Sequence, residues 1–339
     1  MLFLACTAAV LSFESASVDR TDFFVASEPG IEIFVREVRR APPSGSGFPV
    51  LLLHGARVPG IASFDLPVPG GSLAADLALA GHVVYVMDAR GYGGSTRPPA
   101  PMVRGNVVVR DVNAVVEAIQ RRLGVGEVAL MGWATGSHWL GYYASLHPEH
   151  VSHLILYNTL YGGSDRHPSI GKGSSLEDRE HPGTFAAADA GVYRLSNAES
   201  LFPAWDRSIP LEDKTAWRDP EVARAYARAA LASDPTSDSR TPPSFRAPSG
   251  ALEDSFYQAS GRQLWDASMI RSSVLVIQSE NDFWSRPEDR ETLREHLASA
   301  RTVRVVVIPE ATHFVHLDRP ERGRSRFLEE VLAFLSSRD

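Results

Sequence analysis

The chain has 339 residues, of which 44% are hydrophobic and 22% are charged, with 26 glycines and 23 prolines. This composition excludes a disordered or fibrous protein and suits one large domain or two modest ones. The formal net charge of -7 and the pI of about 5.9 argue against a nucleic acid partner. The single cysteine, Cys6, excludes an internal disulfide framework and a thiolate metal cluster.

The N-terminal segment 1–11 is apolar but shorter than the roughly 18 residues that a membrane-spanning helix needs. It also lacks the positive charge that opens a secretory signal, since the first basic residue is Arg20. We therefore predict a loosely held arm over residues 1–20 and a cytoplasmic protein without a membrane span. A remnant export signal is the alternative.

Short β-rich runs alternate with helical patterns along most of the chain. This alternation predicts an α/β fold in which an eight-stranded, mostly parallel sheet carries helices on both faces. The predicted strands are residues 23–26, 31–38, 50–53, 83–87, 128–131, 154–157, 274–277 and 303–308. The predicted helices are residues 72–80, 111–123, 135 to about 148, 287–298 and 320–335.

One long interval interrupts the alternation, because residues 161–269 contain no pattern of a buried strand. Within it, residues 219–232 begin with a capping aspartate and then repeat apolar residues at helical spacing. We predict that this interval is a helical cap inserted into a core formed by residues 21–160 and 270–339. An independent accessory domain is the alternative, although the interval has few apolar residues for a core of its own.

The fifth predicted strand leads directly into Gly-Trp-Ala-Thr-Gly-Ser and then into a helix. This strand, sharp turn and helix form the context of a nucleophile elbow, in which a strained central residue projects over the next helix. Gly132 and Gly136 provide the small residues that the turn needs on either side. The central residue is Ala134, whose methyl group has no lone pair with which to attack a substrate.

Several motifs together resemble the α/β-hydrolase superfamily outside the first 20 residues. His54-Gly55 closes the third strand, the run DARGYGGS from Asp88 follows the fourth, and the elbow follows the fifth. The predicted insert lies where this family places its cap. Epoxide hydrolases and haloalkane dehalogenases share the fold with an aspartate nucleophile, but their elbow resembles G-x-Asp-Trp-G. The elbow of this chain therefore indicates serine as the original residue.

The resemblance implies a triad in the chain order nucleophile, acid and histidine. Asp282 lies in the loop after the seventh strand and is the predicted acid, with Glu280 as its rival. His313 follows the eighth strand and is the predicted general base, with His316 as the second choice. Each of these side chains also has a purely structural interpretation as a loop carboxylate or a packing histidine.

The same resemblance assigns the oxyanion hole to the backbone N–H groups of Ala56 and Thr135. Arg57 follows that loop and is a candidate for binding a substrate carboxylate, although it could equally pair with an acidic neighbour. Trp133 and Trp284 adjoin the predicted catalytic residues and are candidates for lining an apolar pocket. The implied substrate is a mid-sized organic acyl compound.

Two interpretations account for alanine at position 134. In the first, a native serine was replaced by Ala134, so that the covalent step is lost and the pocket is kept. In the second, the protein is a natural non-hydrolytic member that binds a ligand or uses the histidine and aspartate without a nucleophile. Thr135 and Ser137 do not substitute for the nucleophile, since neither occupies the centre of the turn.

The sequence predicts no metal site and no cofactor. His147, His150 and His153 are spaced three apart, but Pro148 interrupts the helix that would align them. The glycine-rich run at residues 91–94 lacks both the P-loop lysine and the dinucleotide-binding spacing. The resemblance to α/β-hydrolases implies cofactor-free hydrolysis of a carboxylic ester, lactone or thioester. Carbon–carbon bond hydrolysis and aminopeptidase activity stay open, because the fold serves all of them.

Overall fold

The computed structural model describes residues 17–42 and 47–337. Eight strands form one sheet, and all eight predicted strands belong to it. Most are longer than predicted, because the polar ends of a strand carry no hydrophobic signal. The strands of the sheet are β1 Ser17–Glu28, β2 Ile31–Ala41, β3 Pro49–Leu53, β4 Val83–Met87, β5 Val128–Trp133, β6 Val151–Tyr157, β9 Ser273–Asn281 and β10 Thr302–Thr312.

The strand order across the sheet is β1-β2-β4-β3-β5-β6-β9-β10. The first two pairings, β1 with β2 and β2 with β4, are antiparallel, and all the others are parallel. The carboxyl ends of the parallel strands therefore meet at one edge of the sheet, where a fold of this kind binds its ligands. The eight-stranded, mostly parallel sheet predicted from the sequence is confirmed.

Helices cover both faces of the sheet, because alternate strand residues point to opposite sides. Leu52 and Met131 pack on one face with helices α2 and α10, and Leu51 and Leu130 pack on the other with α3, α4 and α9. The helices outside the interval 161–269 are α1 Gly60–Phe64, α2 Leu73–Leu79, α3 Gly105–Leu123, α4 Thr135–Leu146, α9 Pro287–His296 and α10 Ser325–Leu335.

Local sequence signals explain several helix ends. The Ser72 hydroxyl caps α2 by accepting a hydrogen bond from the Ala75 N–H at 2.9 Å. Gly124 ends α3 in the left-handed conformation that glycine tolerates best. The last helix begins later than predicted, because Gly323 has a φ of 96° and separates residues 320–324 from α10.

The interval between β6 and β9 contains helices and also two strands that the sequence analysis did not predict. The strands β7 Tyr193–Asn197 and β8 Ser244–Pro248 form a separate antiparallel pair. Helices also occur in the interval, and the helix expected over residues 219–232 is present as α7. The helices of the interval are α5 Ala187–Ala190, α6 Phe202–Ser208, α7 Pro220–Ala232 and α8 Gly250–Ala259. We refer to residues 161–269 as the cap segment.

The N-terminal strand β1 begins within the segment that the sequence analysis predicts to be a loose arm. Residues 17–20, predicted as part of a loose arm, pair with residues 38–41 of β2. Arg20 fixes this end of the strand, since its guanidinium donates two hydrogen bonds of 2.8 Å to the buried Asp65 carboxylate. The rest of the predicted arm, residues 1–16, lies outside the described residues. Within the described part of the chain, no helix combines the length and apolar character needed to cross a membrane.

Candidate active site

A cavity of about 290 Å³ opens at the carboxyl ends of the parallel strands. Seven of the eight predicted site residues line it, and the eighth, Asp282, contacts one of the seven. The cap segment supplies part of the wall, including Arg194 and Tyr226. The predicted site residues that line the cavity are Ala56, Arg57, Trp133, Ala134, Thr135, Trp284 and His313.

Ala134 occupies the sharp turn between β5 and α4. Its φ of 51° and ψ of -112° lie in a region that residues with a side chain rarely adopt. The turn is held in place by a hydrogen bond of 2.9 Å from the Ala134 N–H to the carbonyl of Tyr157 on β6. This strained backbone projects the residue at position 134 towards the cavity that it lines.

The glycines on either side of Ala134 are required by close backbone contacts. A methyl group on Gly132 would lie 2.4 Å from the Ser137 nitrogen, and one on Gly136 would lie 2.1 Å from the Leu53 oxygen. Both distances are far shorter than van der Waals contact. The two glycines therefore have the structural role that the sequence pattern predicts for them.

The hydroxyl groups next to the turn do not replace a nucleophile at position 134. Ser137 is fully buried, and its hydroxyl donates to the Gly132 carbonyl and accepts from the Tyr157 N–H at 3.0 Å. Thr135 lines the cavity, and its hydroxyl lies 3.5 Å from that of Ser255 on α8. Its backbone N–H belongs to the first turn of α4, where amides lack an acceptor within the helix. The structure therefore leaves Thr135 available for the predicted oxyanion role.

Asp282 and His313 lie next to each other. Nδ1 of His313 is 2.6 Å from Oδ1 of Asp282, whose side chain is inaccessible to solvent. The same carboxylate accepts hydrogen bonds of 2.9 Å from the N–H groups of Trp284 and Ser285. A carboxylate held in this way fixes the orientation of the imidazole and favours the tautomer with the proton on Nδ1. The Nε2 atom is then the basic one.

The backbone around His313 is fixed as firmly as its side chain. Its carbonyl accepts hydrogen bonds from the Trp133 indole at 3.0 Å and from the Asn158 side chain at 3.1 Å. Its ring packs against Phe283 and Trp133, with centroid distances of 4.8 and 5.2 Å. These contacts tie the loop after β10 to the ends of β5 and β6.

The rival residues lie in different surroundings. Glu280 is exposed, and its carboxylate accepts a hydrogen bond of 2.8 Å from the Glu310 N–H. His316 is fully buried against Trp133 and Tyr157 and does not line the cavity. Burial lowers the pKa of His316 well below its usual value, so its ring stays neutral near pH 7.

The loop after β3 brings Ala56 and Arg57 to the cavity. The Ala56 carbonyl accepts hydrogen bonds from the Tyr92 hydroxyl at 2.8 Å and from Nη2 of Arg194 at 2.6 Å. These two contacts orient the peptide that follows Ala56. His54 links this loop to the residues that follow β4, because its Nε2 accepts a hydrogen bond of 3.0 Å from the Ala89 N–H. Burial lowers the pKa of His54 to about 4, which keeps it neutral.

Sequence reasoning missed several residues that line the cavity. Arg194 lies on β7, a strand that the sequence analysis did not predict. Tyr226 lies on the predicted helix α7. The spacing of apolar residues along this helix indicates that Tyr226 is buried but not which part of the protein it contacts. Phe283 and Phe314 adjoin the predicted acid and base in sequence, and that proximity could have identified them.

The histidines considered as metal ligands lie elsewhere. The rings of His147 and His150 stack at a centroid distance of 5.7 Å, and the Glu149 carboxylate lies 3.9 Å from a nitrogen of each. His153 does not join them, because its Nε2 contacts the Ser337 carbonyl at 3.2 Å. None of these residues lines the cavity around Ala134. The absence of a metal site stays a prediction.

Comparison with known proteins identifies the fold. The family model described as the alpha/beta hydrolase fold matches residues 49–320. No curated protein matches the sequence. An esterase from Exiguobacterium antarcticum is among the solved structures that resemble the chain. It is 19% identical, with a TM-score of 0.58, over 94% of this chain and 100% of the esterase.

Two further structures illustrate the range of reactions among similar folds. An E-2-(acetamidomethylene)succinate hydrolase is 19% identical, with a TM-score of 0.60, over 94% of this chain and 100% of that one. A mutant meta-cleavage product hydrolase from Pseudomonas fluorescens, in which serine is replaced by alanine, was solved with acetates. It is 17% identical, with a TM-score of 0.58, over 93% of this chain and 96% of that one. At these identities the likeness establishes the fold alone.

Proposed function

The chain belongs to the alpha/beta hydrolase fold family, and from this premise we propose that its site is built to cleave a carboxylic ester, lactone or thioester. The observation that carries the proposal is the pairing of Asp282 with His313 beside the strained turn at Ala134. A binding pocket needs neither this pair nor the strain, whereas acyl transfer to a serine uses both.

In the proposed reaction, a serine hydroxyl at position 134 attacks the carbonyl carbon of the substrate. Nε2 of His313 takes the hydroxyl proton, and the amides of Ala56 and Thr135 bind the oxyanion that forms. The carbon–oxygen or carbon–sulfur bond then breaks, and the proton moves from His313 to the departing alcohol or thiol. Water, activated by the same histidine, hydrolyses the acyl-enzyme and releases the acid.

Ala134 prevents the first of these steps, because a methyl group can neither donate a proton nor attack a carbonyl. The chain with Ala134 is therefore proposed to bind its substrate without turning it over. A serine replaced by alanine is our preferred explanation, since Asp282 and His313 pair beside position 134. The mutant meta-cleavage product hydrolase solved with acetates provides a precedent for this kind of replacement.

The experiment that tests the proposal is the Ala134→Ser variant assayed with p-nitrophenyl butyrate. We expect hydrolysis to rise by at least about 10³-fold over the unmodified chain. The double variant Ala134→Ser, His313→Gln is the matched control and should lose most of that gain. If Ala134→Ser folds but stays as inactive as the unmodified chain towards p-nitrophenyl esters and lactones, the proposal fails.

One observation favours a second candidate, a non-hydrolytic member of the family. The chain carries alanine at position 134, where the proposed hydrolysis would need a nucleophile. In this case His313 would act as a general base on a bound ligand, or the cavity would serve for binding alone. Ligand binding by the unmodified chain, combined with an inactive Ala134→Ser variant, would support this candidate over the first.

Carbon–carbon bond hydrolysis and aminopeptidase activity use the same residues on different substrates. The meta-cleavage product hydrolase, the esterase and the E-2-(acetamidomethylene)succinate hydrolase share the fold with this chain. A panel containing one ester, one amide and one vinylogous diketone, given to the Ala134→Ser variant, separates these reactions. We expect the ester to be the fastest substrate.

A further inference from the structure

The cavity has an unbalanced charge. Two arginines and one histidine line it, and its lining contains no aspartate or glutamate among the described residues. Arg57 comes from the loop after β3, whereas Arg194 comes from the cap segment. Two separate parts of the chain therefore place a guanidinium group on one cavity.

Among the described residues, the two guanidinium groups donate hydrogen bonds only to neutral groups. Arg57 donates from Nε to the Ser196 hydroxyl at 3.1 Å and from Nη2 to the Ser200 hydroxyl at 3.0 Å. Arg194 donates from Nη2 to the Ala56 carbonyl at 2.6 Å, and its Nε is buried without a hydrogen-bond partner. Both side chains therefore keep N–H groups that a ligand could use, since a guanidinium has five donors.

The arginines that are almost fully buried in the described part of the chain are paired with carboxylates. Arg90 bonds the carboxylates of Asp111 and Glu28, and Arg286 bonds that of Asp289. Removing a charge from water without a counterion is costly, which explains why buried charges are normally paired. Among the described residues, the half-buried Arg57 and Arg194 of the cavity depart from this pattern, as does the half-buried Arg97, which donates to the Ser233 carbonyl and pairs with no carboxylate.

Burial and mutual repulsion both disfavour the positive charges of the two arginines. Burial lowers the pKa of both Arg57 and Arg194, and the positive charge of Arg57 lowers that of Arg194 further. Arginine nonetheless stays protonated in proteins. A bound anion would relieve both the desolvation cost and the mutual repulsion of the two side chains.

We propose that the substrate carries a carboxylate in addition to the acyl group that reacts, and that Arg57 and Arg194 bind this carboxylate. The proposal rests on the function proposed above. It defines the substrate class as the half-ester or half-thioester of a dicarboxylic acid, or a related carboxylate-bearing lactone. The apolar remainder of the cavity, including Tyr226 and Phe314, accommodates the hydrocarbon part of the substrate.

Arg57 lies next to the proposed oxyanion donor in the sequence. Arg57 directly follows Ala56, whose amide is the proposed oxyanion donor, and consecutive Cα atoms are about 3.8 Å apart. The loop also passes close to the nucleophile position, because a methyl group on Gly55 would lie 3.7 Å from Cβ of Ala134. The backbone of Arg57 therefore lies near the nucleophile position, and a short dicarboxylic acid such as succinic acid is the first probe of the site.

The test uses the unmodified chain, in which Ala134 precludes the covalent step, and compares two probes by isothermal titration calorimetry. Monobenzyl succinate carries an ester and a carboxylate, whereas benzyl succinamate replaces the carboxylate with a neutral amide of the same shape. We expect the carboxylate to bind about 10- to 100-fold more tightly, as charge-assisted hydrogen bonds do. Equal binding, or tighter binding of the amide, would overturn the proposal.

Variants locate the effect. Arg57→Gln and Arg194→Gln should each remove most of the preference for the carboxylate and change the affinity for benzyl succinamate by less than about threefold. Arg179→Gln, at an exposed position of the cap segment, is the matched control and should keep the full preference. If both cavity variants fold and keep the preference, the carboxylate binds elsewhere and the assignment is wrong.

Two further measurements keep this proposal separate from the hydrolase proposal. Succinate should compete with monobenzyl succinate for the site better than inorganic phosphate does. If phosphate competes better, the two arginines bind an oxyanion other than a carboxylate. In the Ala134→Ser variant, kcat/KM should be higher for monobenzyl succinate than for benzyl succinamate. If the variant hydrolyses both compounds equally well, the proposal of a carboxylate site is refuted and the hydrolase proposal is retained. Selective binding without hydrolysis would refute the hydrolase alone.

Discussion

The indole nitrogen of Trp205 donates a hydrogen bond of 2.9 Å to the carboxylate of Asp318. The same carboxylate accepts hydrogen bonds from the backbone and the hydroxyl of Thr312, the residue before His313. Trp205 also stacks on Phe314 at a centroid distance of 4.5 Å. The cap segment is thus bonded to the loop that carries the proposed base, so disturbing one should disturb the other.

Asp318 makes a testable contribution to the pH dependence of stability. Burial raises its pKa to about 6 from the usual 3.8, although the hydrogen bonds from Thr312 and Trp205 oppose the shift. Between pH 4 and 6 the folded chain keeps a proton that the unfolded chain releases. The stabilisation linked to this proton is therefore present at low pH and is lost as the pH rises through 6.

Asp318→Asn removes this titration. Between pH 4.5 and 7.5, the free energy of unfolding of the variant should gain about 2 kcal/mol relative to the unmodified chain. Urea unfolding at the two pH values measures this difference, and the exposed Asp189→Asn provides the control. If the stability of the Asp318→Asn variant relative to the unmodified chain falls as the pH rises, the raised pKa assigned to Asp318 is contradicted.

The role proposed for Asp282 predicts a large kinetic effect. In the Ala134→Ser background, Asp282→Asn should lower kcat about 10³- to 10⁴-fold, because the amide favours the wrong imidazole tautomer. KM should change little, since Asp282 lies behind His313 and does not line the cavity. Steady-state kinetics with p-nitrophenyl butyrate provide the measurement.

Glu280→Gln is the matched control for this experiment, as the rival carboxylate of the same loop. It should leave kcat within about threefold, because the Glu280 side chain points to solvent and bonds the Glu310 N–H. A large loss from Glu280→Gln together with a small loss from Asp282→Asn would exchange the roles of the two acids.

The sharp turn predicts a local stability effect. Gly136→Ala would place a methyl group 2.1 Å from the Leu53 oxygen, so β3 and the turn must move apart. We expect a loss of at least about 2 kcal/mol in the free energy of unfolding. Gly126→Ala, where a methyl group meets nothing within 4 Å, should be nearly neutral. Equal midpoints of urea unfolding for the two variants would show that the turn is less tightly packed than described.

The sheet could be predicted from the sequence because its strands are short apolar runs bounded by turn residues. The strand ends then located the motifs, and the parallel order brought Ala134, Asp282 and His313 to one edge. The edge strand β1 was underestimated, since residues 17–22 are mostly polar and exposed and have no hydrophobic signal. Their pairing with β2 depends on hydrogen bonds that any sequence can form.

The cap segment was harder to predict for a physical reason. The pair of β7 and β8 joins Tyr193 to Pro248 across about half of the segment, and a contact so distant in sequence leaves no local pattern. Arg194 therefore went unnoticed, although it shares the cavity with Arg57. Asp318 was missed because a buried carboxylate cannot be distinguished from an exposed one in sequence.

The most direct test of the account is covalent labelling of the Ala134→Ser variant with a fluorophosphonate, followed by mass spectrometry of the labelled peptide. The account predicts one phosphonyl group on residue 134, formed much faster than in the variant that also carries His313→Gln, and no labelling of the unmodified chain. Labelling of the unmodified chain, or labelling of Ser137 or Thr135 in the variant, would contradict the assignment of position 134 as the nucleophile position.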